Sequence, residues 1–440
     1  MDCASPTSSA AHGTGQSALL EAPEGPHGGV ALLKRFAQYL EEGFDFLSQV
    51  DTLTDSRQGA EIPTTAVWLS VFGGFALRQR SLNALEQELK LPHRWEAWVG
   101  SRKPSADTIA YAFCRLDLGP LRALTRSVAQ RLKRRKALRS STAHWVAAVD
   151  GHELFSSRKR CCAECLVREI ETRHGKVVEY YHRVVVCQLV GVLPPMVLDI
   201  EPIRPGEGET AAAHRLLQRL LATCPRMADV FTFDALYLEA PLVRWLRARG
   251  KHVVIVLKED RLILTQDVEG LLPLIEPVTI QAGSTAAKLW DLEHLTSWPA
   301  LGGSVRVICA EEETPRRERV AHEWIQRTER HTWRWVTTLP ASEVSAATIR
   351  CYGHWRWDLE NRGFNEWVTH WGFDHCFAHA PKAILAFLFT LVLAFALTMV
   401  FFMRSLKPAL RAGRTRLWLA LRFFEGFISC AGAPVWARAP

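Results

Sequence analysis

An α/β fold, built as a mixed sheet with flanking helices, is predicted by a change of pattern along the chain. Apolar residues recur every three or four positions from about residue 30 to 138, as in amphipathic helices. Short runs rich in β-branched residues begin at residue 144 and alternate with helical segments up to residue 258. Because such alternation is typical of strands covered by helices, we expect one sheet with helices packed on it.

The chain before residue 141 is predicted to consist of a tail and a helical region. Residues 1–27 are rich in Ser, Ala, Gly and Pro and lack the basic start and apolar run of a secretory leader, so we expect a disordered tail. Residues 28–140 are predicted to be a helical DNA-binding region that closes on a basic run. That run is either a solvated helix face or a phosphate-binding surface, and the sequence leaves both open. The DNA-binding candidates in it are Arg131, Lys133, Arg134, Arg135 and Lys136.

Residues 141–258 and 333–405 are predicted to form the core of the fold. In chain order the segments are a strand at 144–150, two strands within 183–203 separated by a Pro-Pro pair, a helix at 208–224, a strand ending at residue 234, a helix at 238–249 and a strand at 252–258. The order β, β, β, α, β, α, β is that of the ribonuclease H-like fold. The net charge of +8 adds a preference for a polyanionic partner, with nucleic acid the first candidate.

Three further segments complete the predicted organisation. Residues 259–332 combine short alternating runs with several Pro and Gly, which indicates a β-rich insertion. Residues 383–403 carry no charge and are long enough to cross a bilayer. Basic residues flank this run on both sides, so no one-sided bias favours a membrane orientation, and we expect a buried core helix. Residues 406–440 are predicted to be a helical tail.

Three acids are the strongest candidates for chemistry. Asp150 and Asp234 each follow a buried strand, and the predicted fold makes those strands neighbours. Glu360 lies in a helix dense in Trp and Phe, with Arg356 one turn earlier, where it can orient the carboxylate or reach a phosphate. Carboxylates bind hard divalent ions, and two such ions can activate the attacking oxygen and stabilise the leaving oxygen in phosphoryl transfer. We therefore predict a Mg²⁺ site on the three acids, with Mn²⁺ as a substitute, and a catalytic set of Asp150, Asp234, Glu360 and Arg356.

The segments around these acids resemble the three acidic blocks of DDE transposases of the insertion-sequence-four type. They read AVDGHE, FTFDALYLEAPLV and IRCYGHWRWDLENRGFNE. The last block of that family is Tyr-x2-Arg-x3-Glu-x6-Lys, which Arg356 and Glu360 match. Gly353 stands at the Tyr position and Trp367 at the Lys position, so the chain resembles a divergent branch over roughly residues 144–400.

The resemblance implies a DNA transposase with a ribonuclease H-like catalytic core. In that family, water cleaves the transposon-end DNA and the freed 3′ hydroxyl joins the target, without a covalent enzyme intermediate. The implied partners are double-stranded DNA with terminal inverted repeats and a second copy of the chain in a synaptic homodimer, with no membrane. The implied location is the cytoplasm, in association with the nucleoid. Tyr352, one residue before the family's Tyr position, is assigned to DNA binding by the same resemblance.

Two other classes of function stay open. A transposase-derived DNA-binding protein that has lost catalysis would keep the same fold, and the departures at Gly353 and Trp367 keep this alternative in play. A membrane-anchored protein would rest on the apolar run alone. Metal-dependent nicking of end DNA separates the first alternative from a transposase, and fractionation after an alkaline wash tests the second.

A group of cysteines follows the first acid. Cys162-x2-Cys165 has the spacing of half a tetrahedral zinc site, but no second pair of ligands lies nearby in the sequence. Packed or idle thiols are the other interpretation. If a structural zinc is bound, the ligands predicted from the sequence are Cys161, Cys162, Cys165 and His182.

Overall fold

A ten-stranded mixed sheet forms the centre of the protein in the computed structural model, which describes residues 28–90, 95–258, 263–320, 323–429 and 435–436. Its order is β2-β3-β1-β5-β6-β10-β9-β8-β7, with β4 paired to β3 off this path. The β1–β5 and β5–β6 pairs are parallel and the others antiparallel. The strands are β1 (Val146–Ser157), β2 (Leu166–Thr172), β3 (Gly175–Val190), β4 (Met196–Pro202), β5 (Val230–Phe233), β6 (His252–Val256), β7 (Val278–Ala282), β8 (Thr285–Leu295), β9 (Val305–Val320) and β10 (Glu323–Thr337). This architecture confirms the predicted α/β fold class and is consistent with a ribonuclease H-like core.

Helices precede, cover and follow this sheet. Those before it are α1 (Gly29–Phe44), α2 (Phe46–Val50), α3 (Thr64–Ala76), α4 (Leu82–Lys90), α5 (Glu96–Val99), α6 (Ala106–Phe113) and α7 (Leu118–Arg134). Those within and after it are α8 (Glu209–Thr223), α9 (Ala240–Arg247), α10 (Ile263–Leu271), α11 (Ala346–Leu359), α12 (Asn365–Trp371), α13 (Pro381–Val400), α14 (Pro408–Arg411) and α15 (Arg416–Ser429). The predicted tail at 1–27 lies outside the described residues.

The strands around the first acid differ from the prediction. β1 continues to Ser157, so Asp150 lies inside a strand rather than at its end, and β2 was not predicted at all. β3 begins at Gly175, well before the predicted start near residue 183. These extra stretches alternate between exposed and half-buried positions. They therefore lack the continuous apolar run that marks a buried strand in sequence.

The insertion is hydrogen-bonded into the core sheet. It begins with α10, continues as β7 to β10, and returns along β10, which crosses residue 332, the predicted end of the insertion. The last part of β10 pairs with β6, with Trp335 opposite Val256, while β10 also pairs with β9 along its length. Exposed cross-strand ion pairs lie on the outer half of this β9–β10 hairpin. They are Arg316–Glu329, Arg327–Glu318 and Arg330–Glu313.

The helical region before residue 140 shares buried contacts with the sheet. Asp199 and Glu201 on β4 are almost fully buried, which would be costly for unpaired carboxylates. Arg122 of α7 and Arg219 of α8 both reach Asp199, at 3.4 and 2.7 Å, and both also contact Glu201. This buried ion network joins α7 and α8 to β4.

The uncharged run predicted to be a buried helix is α13 and its π-helical continuation. In the described residues one helix, Pro381–Ser405, is long and apolar enough to cross a membrane by length and composition, and its apolar window is entirely buried inside the protein. It packs against α3, α7 and β4. Thr390 accepts a buried hydrogen bond from Trp68 Nε1 of α3 at 3.0 Å. The burial agrees with the predicted core helix.

Candidate active site

The first two acids lie on adjacent parallel strands. In the β1–β5 pair Ala148 is opposite Thr232, so Asp150 and Asp234, each two positions further along, are brought next to each other. Asp234 directly follows β5 and accepts the Leu236 N–H at 2.9 Å, which fixes its carboxylate at the start of a 3₁₀ turn. The strand pairing therefore brings together two acids that are far apart in sequence.

The third acid is joined to the first by an arginine. α11 ends at Leu359, and Glu360 opens a five-residue π-helical turn, a distortion that is frequent at functional sites. Arg356 Nη1 donates to Asp150 Oδ2 at 2.7 Å and to Glu360 Oε1 at 2.6 Å. The Arg356 side chain is 12% exposed and that of Glu360 44%. One nearly buried guanidinium thus holds the more exposed Glu360 beside Asp150.

The three acids of this site carry more negative charge than the one arginine between them can neutralise. Burial raises the pKa of Asp150 to about 7; the Arg356 guanidinium lowers it, and the charges of Asp234 and Glu360 raise it. A cation that approaches Asp150 stabilises its charged form and lowers its pKa. Carboxylates crowded in this way fit a hard divalent ion, because oxygen ligands are the ones that Mg²⁺ and Mn²⁺ accept.

A family comparison adds to this geometry. Residues 172–397, just over half of the chain, match the family model of the transposase DDE domain. The chain belongs to the DDE transposase family. Asp234, Arg356 and Glu360 lie within the matched range, whereas Asp150 lies before its start. A search of curated proteins found no match.

The two departures from the last acidic block lie in packed parts of this transposase. A Cβ at Gly353 would come within 2.2 Å of Trp335 Nε1 on β10, so a tyrosine does not fit at this position. Trp367, at the expected Lys position, is fully buried and packs on Phe373 and Phe395. Both substitutions are therefore accommodated by the way α11 and α12 pack on their neighbours.

Tyr352 is misassigned by the sequence prediction. Tyr352 lies on α11 with its side chain fully buried, and its hydroxyl lies 3.2 Å from His144 Nδ1. A phosphate of bound DNA cannot reach a ring in this position without unpacking the helix. The assignment of Tyr352 to DNA binding is therefore corrected to a packing role.

Some side chains of the basic run contact other parts of the protein, and others are exposed to solvent. Lys133 Nζ donates to the Arg226 carbonyl and lies 4.3 Å from the centre of the Trp145 ring. Arg131 is half-buried near the end of α7. Arg134, Arg135 and Lys136 are exposed, although Arg135 also donates to the Glu42 carbonyl at 3.0 Å. The exposed members of the run are those with room for a phosphate.

Glu209 is a polar residue beneath the site that the sequence prediction left unassigned. It begins α8, is 9% exposed, and accepts from Arg183 Nη2 at 2.7 Å and from the Tyr237 hydroxyl at 2.9 Å. A Cβ at Gly151 would come within 2.1 Å of its carboxylate. A larger residue after Asp150 would therefore require the Glu209 carboxylate to move from the position in which Arg183 and Tyr237 hold it.

A second polar cluster lies beyond the acids. Cys162, Cys165, His182 and His379 present ligand atoms that all lie within 4.8 Å of one another, the one such group of His, Cys, Asp or Glu found among the described residues. Cys161 is exposed and lies outside the group, so its predicted place as a ligand is wrong, and His379 is the fourth member. The pair His375-x3-His379 follows the last acidic block, but His375 lies outside the group, so no spacing in the sequence points to His379 as a ligand.

Proposed function

We propose that this protein is a DNA transposase of the insertion-sequence-four type that cleaves its transposon-end DNA and joins the 3′ hydroxyl ends to target DNA. The observation that carries the proposal is the Arg356 bridge, which joins Asp150 on β1 to Glu360 in the π-helical turn after α11, with Asp234 next to Asp150. Asp150, Asp234 and Glu360 would hold the Mg²⁺ ions, and Mn²⁺ would substitute. Bound there, such ions supply charge stabilisation for the attacking and leaving oxygens of phosphoryl transfer.

The residues of the chain have distinct tasks in this proposal. Burial, together with the charges of Asp234 and Glu360, raises the pKa of Asp150, and a bound cation would lower it so that Asp150 enters the reaction as a carboxylate. Arg356 orients Glu360 toward Asp150 and is close enough to the acids to contact a phosphate of bound DNA. Glu209, held by Arg183 and Tyr237, supports β1 from below through the space left at Gly151.

The partner in this proposal is double-stranded DNA with terminal inverted repeats, bound by a homodimer, in the cytoplasm and at the nucleoid. Exposed Arg134 and Lys136 are expected to contact phosphates, and each contact should add about 0.9 to the slope of log affinity against log salt. The double variant Arg134→Ala, Lys136→Ala should therefore reduce that slope by about 2 units. Lys133→Ala is the matched control, because its ammonium group is already engaged by Arg226 and Trp145. An unchanged slope in the double variant would make the run a solvated helix face.

Cleavage of a DNA fragment carrying the element's end, with Mg²⁺ present, tests the chemistry. Asp150→Asn, Asp234→Asn and Glu360→Gln keep the shape of each side chain and should each reduce nicking about 10³-fold or more while leaving end binding nearly intact. Asp358→Asn is the control two residues before Glu360; Asp358 accepts the Gly191 N–H at 3.2 Å on another side of the helix. It should retain most of the activity.

The same assay separates the proposal from its alternative, a DNA-binding protein derived from a transposase that no longer cleaves. Wild-type protein that binds the ends but nicks no DNA in Mg²⁺ or Mn²⁺ would favour that alternative. A Glu360→Gln variant as active as wild type would show that the third acid is another residue.

A further inference from the structure

The Cys/His cluster joins three segments that are distant in sequence. Cys162 and Cys165 lie in the turn between β1 and β2, His182 lies on β3, and His379 lies in the segment between α12 and α13. Cys165 and His182 are buried, and the other two are half-buried. The cluster therefore connects the hairpin that follows Asp150 with the segment that follows the Glu360 helix.

Five of the six spacings between the four ligand atoms match those around a single tetrahedral ion, and the sixth, from Cys162 to His379, is within 4.8 Å. With Zn–S near 2.3 Å and Zn–N near 2.0 Å, a tetrahedron has edges of about 3.8 Å between sulfurs, about 3.5 Å between sulfur and nitrogen and about 3.3 Å between nitrogens. The Cys162 and Cys165 sulfurs are 3.6 Å apart, and their distances to His182 Nε2 are 3.5 and 3.3 Å. His379 Nε2 lies 3.2 Å from the Cys165 sulfur and 3.3 Å from His182 Nε2.

Hydrogen bonding among neutral side chains does not explain these contacts. The two sulfurs and the two Nε2 atoms make five mutual contacts, whereas neutral thiols and imidazoles supply at most four protons among these atoms. The Cys165 sulfur also accepts the backbone N–H of Cys162 at 3.2 Å. A cation at the centre gives all four groups one common partner.

We propose that Cys162, Cys165, His182 and His379 bind one structural zinc ion. Four protein ligands close the coordination sphere, which is typical of structural rather than catalytic zinc. The Phe155 ring packs on both histidines, and His152 stacks on Phe364 of the π-helical turn at a centroid distance of 4.4 Å. The ion thus fixes the segment before α13 to the hairpin of β1 and β2, independently of whether the protein cleaves DNA.

Metal analysis of the full-length protein, purified without chelator, tests this site directly. We expect about one zinc per chain, and replacement by Co²⁺ should give the intense d–d absorption of a tetrahedral ion together with sulfur-to-cobalt charge transfer. Because these measurements use the wild-type chain, they do not depend on a variant that folds. A wild-type protein with less than one tenth of an ion per chain and no such cobalt spectrum would overturn the proposal.

Variants then test which residues are the ligands. Cys162→Ser and His379→Ala should each lower the zinc content or the zinc affinity at least tenfold. Cys161→Ser is the matched control, because Cys161 is the adjacent thiol and lies outside the group. It should retain the wild-type zinc content and cobalt spectrum. Loss of zinc from Cys161→Ser together with its retention in His379→Ala would contradict the assigned ligand set.

Discussion

Metal ions are proposed for both the acidic site and the Cys/His cluster, but the side chains of the two sites are held in opposite ways. In the acidic site Arg356 Nη1 lies between the carboxylates of Asp150 and Glu360, and Glu360 is well exposed. In the cluster the four ligand atoms already lie within 4.8 Å of one another, two of them on buried residues. An ion entering the acidic site has to replace an internal counter-charge, whereas an ion in the cluster completes a preformed set.

The difference indicates what each site is suited to do. A site that would bind DNA, ions and products in turn benefits from a counter-charge, such as that of Arg356, which balances the carboxylates when no ion is bound. A site that holds distant segments together benefits from ligands whose geometry is set by the fold, because little ordering remains to oppose binding. The arrangement of the acidic site favours exchange of bound ions, and that of the Cys/His cluster favours retention of one ion.

The largest expected effect is on stability at the cluster. Cys165→Ser should lower the free energy of unfolding by about 4 kcal/mol, since loss of a structural metal is among the few single changes with so large a cost. Denaturant unfolding monitored by Trp fluorescence measures this change, with Cys161→Ser as the control. An equal loss of stability in Asp234→Asn would remove the contrast between the two sites.

The second effect concerns the acidic site and depends on pH. Burial raises the folded-state pKa of Asp150 to about 7 from its ordinary value of 3.8, so ionisation costs the folded state stability as pH rises from about 4 to about 7. Asp150→Asn does not ionise and escapes this loss. With divalent ions chelated, the stability of the variant relative to wild type should rise by up to about 4 kcal/mol between pH 4 and pH 8, at about 1.4 kcal/mol for each unit of raised pKa. A difference that did not change with pH would show that Arg356 already neutralises Asp150 fully.

The smallest effect is on ion affinity. Arg356→Gln removes the internal counter-charge, so Mn²⁺ should bind the acids about fivefold more tightly, or about 1 kcal/mol, while DNA cleavage falls. Titration followed by electron paramagnetic resonance measures the affinity. Arg362→Gln is the control, because Arg362 pairs with Asp358, at 3.5 Å, instead of with the proposed ligands. If Arg356→Gln bound Mn²⁺ more weakly than wild type, Arg356 would help to position the carboxylates that bind the ions and would not compete with the ions for them.

Whether a strand could be predicted from the sequence depended on how deeply its residues are buried. The apolar runs before Asp150 and Asp234 marked strands of the core, and the i, i+4 spacing of Arg356 and Glu360 anticipated their contact. The β2 strand was missed because its alternating, half-exposed residues carry no apolar run. His379 was missed because its nearest partner on β3, His182, is 197 positions away, a pairing that only the fold creates. Tyr352 was misassigned because a motif position carries no information on burial.

The packing of α13 has a consequence for how the protein is made. Its Thr390 bonds to Trp68, a residue synthesised 322 positions earlier. At roughly 5 to 20 residues per second, α3 leaves the ribosome about 15 to 65 s before the helix that covers it. During that interval the apolar faces of α3, α7 and β4 lack their final cover. The nascent chain is therefore a strong candidate for chaperone binding, and C-terminal truncation before α13 should yield an insoluble product.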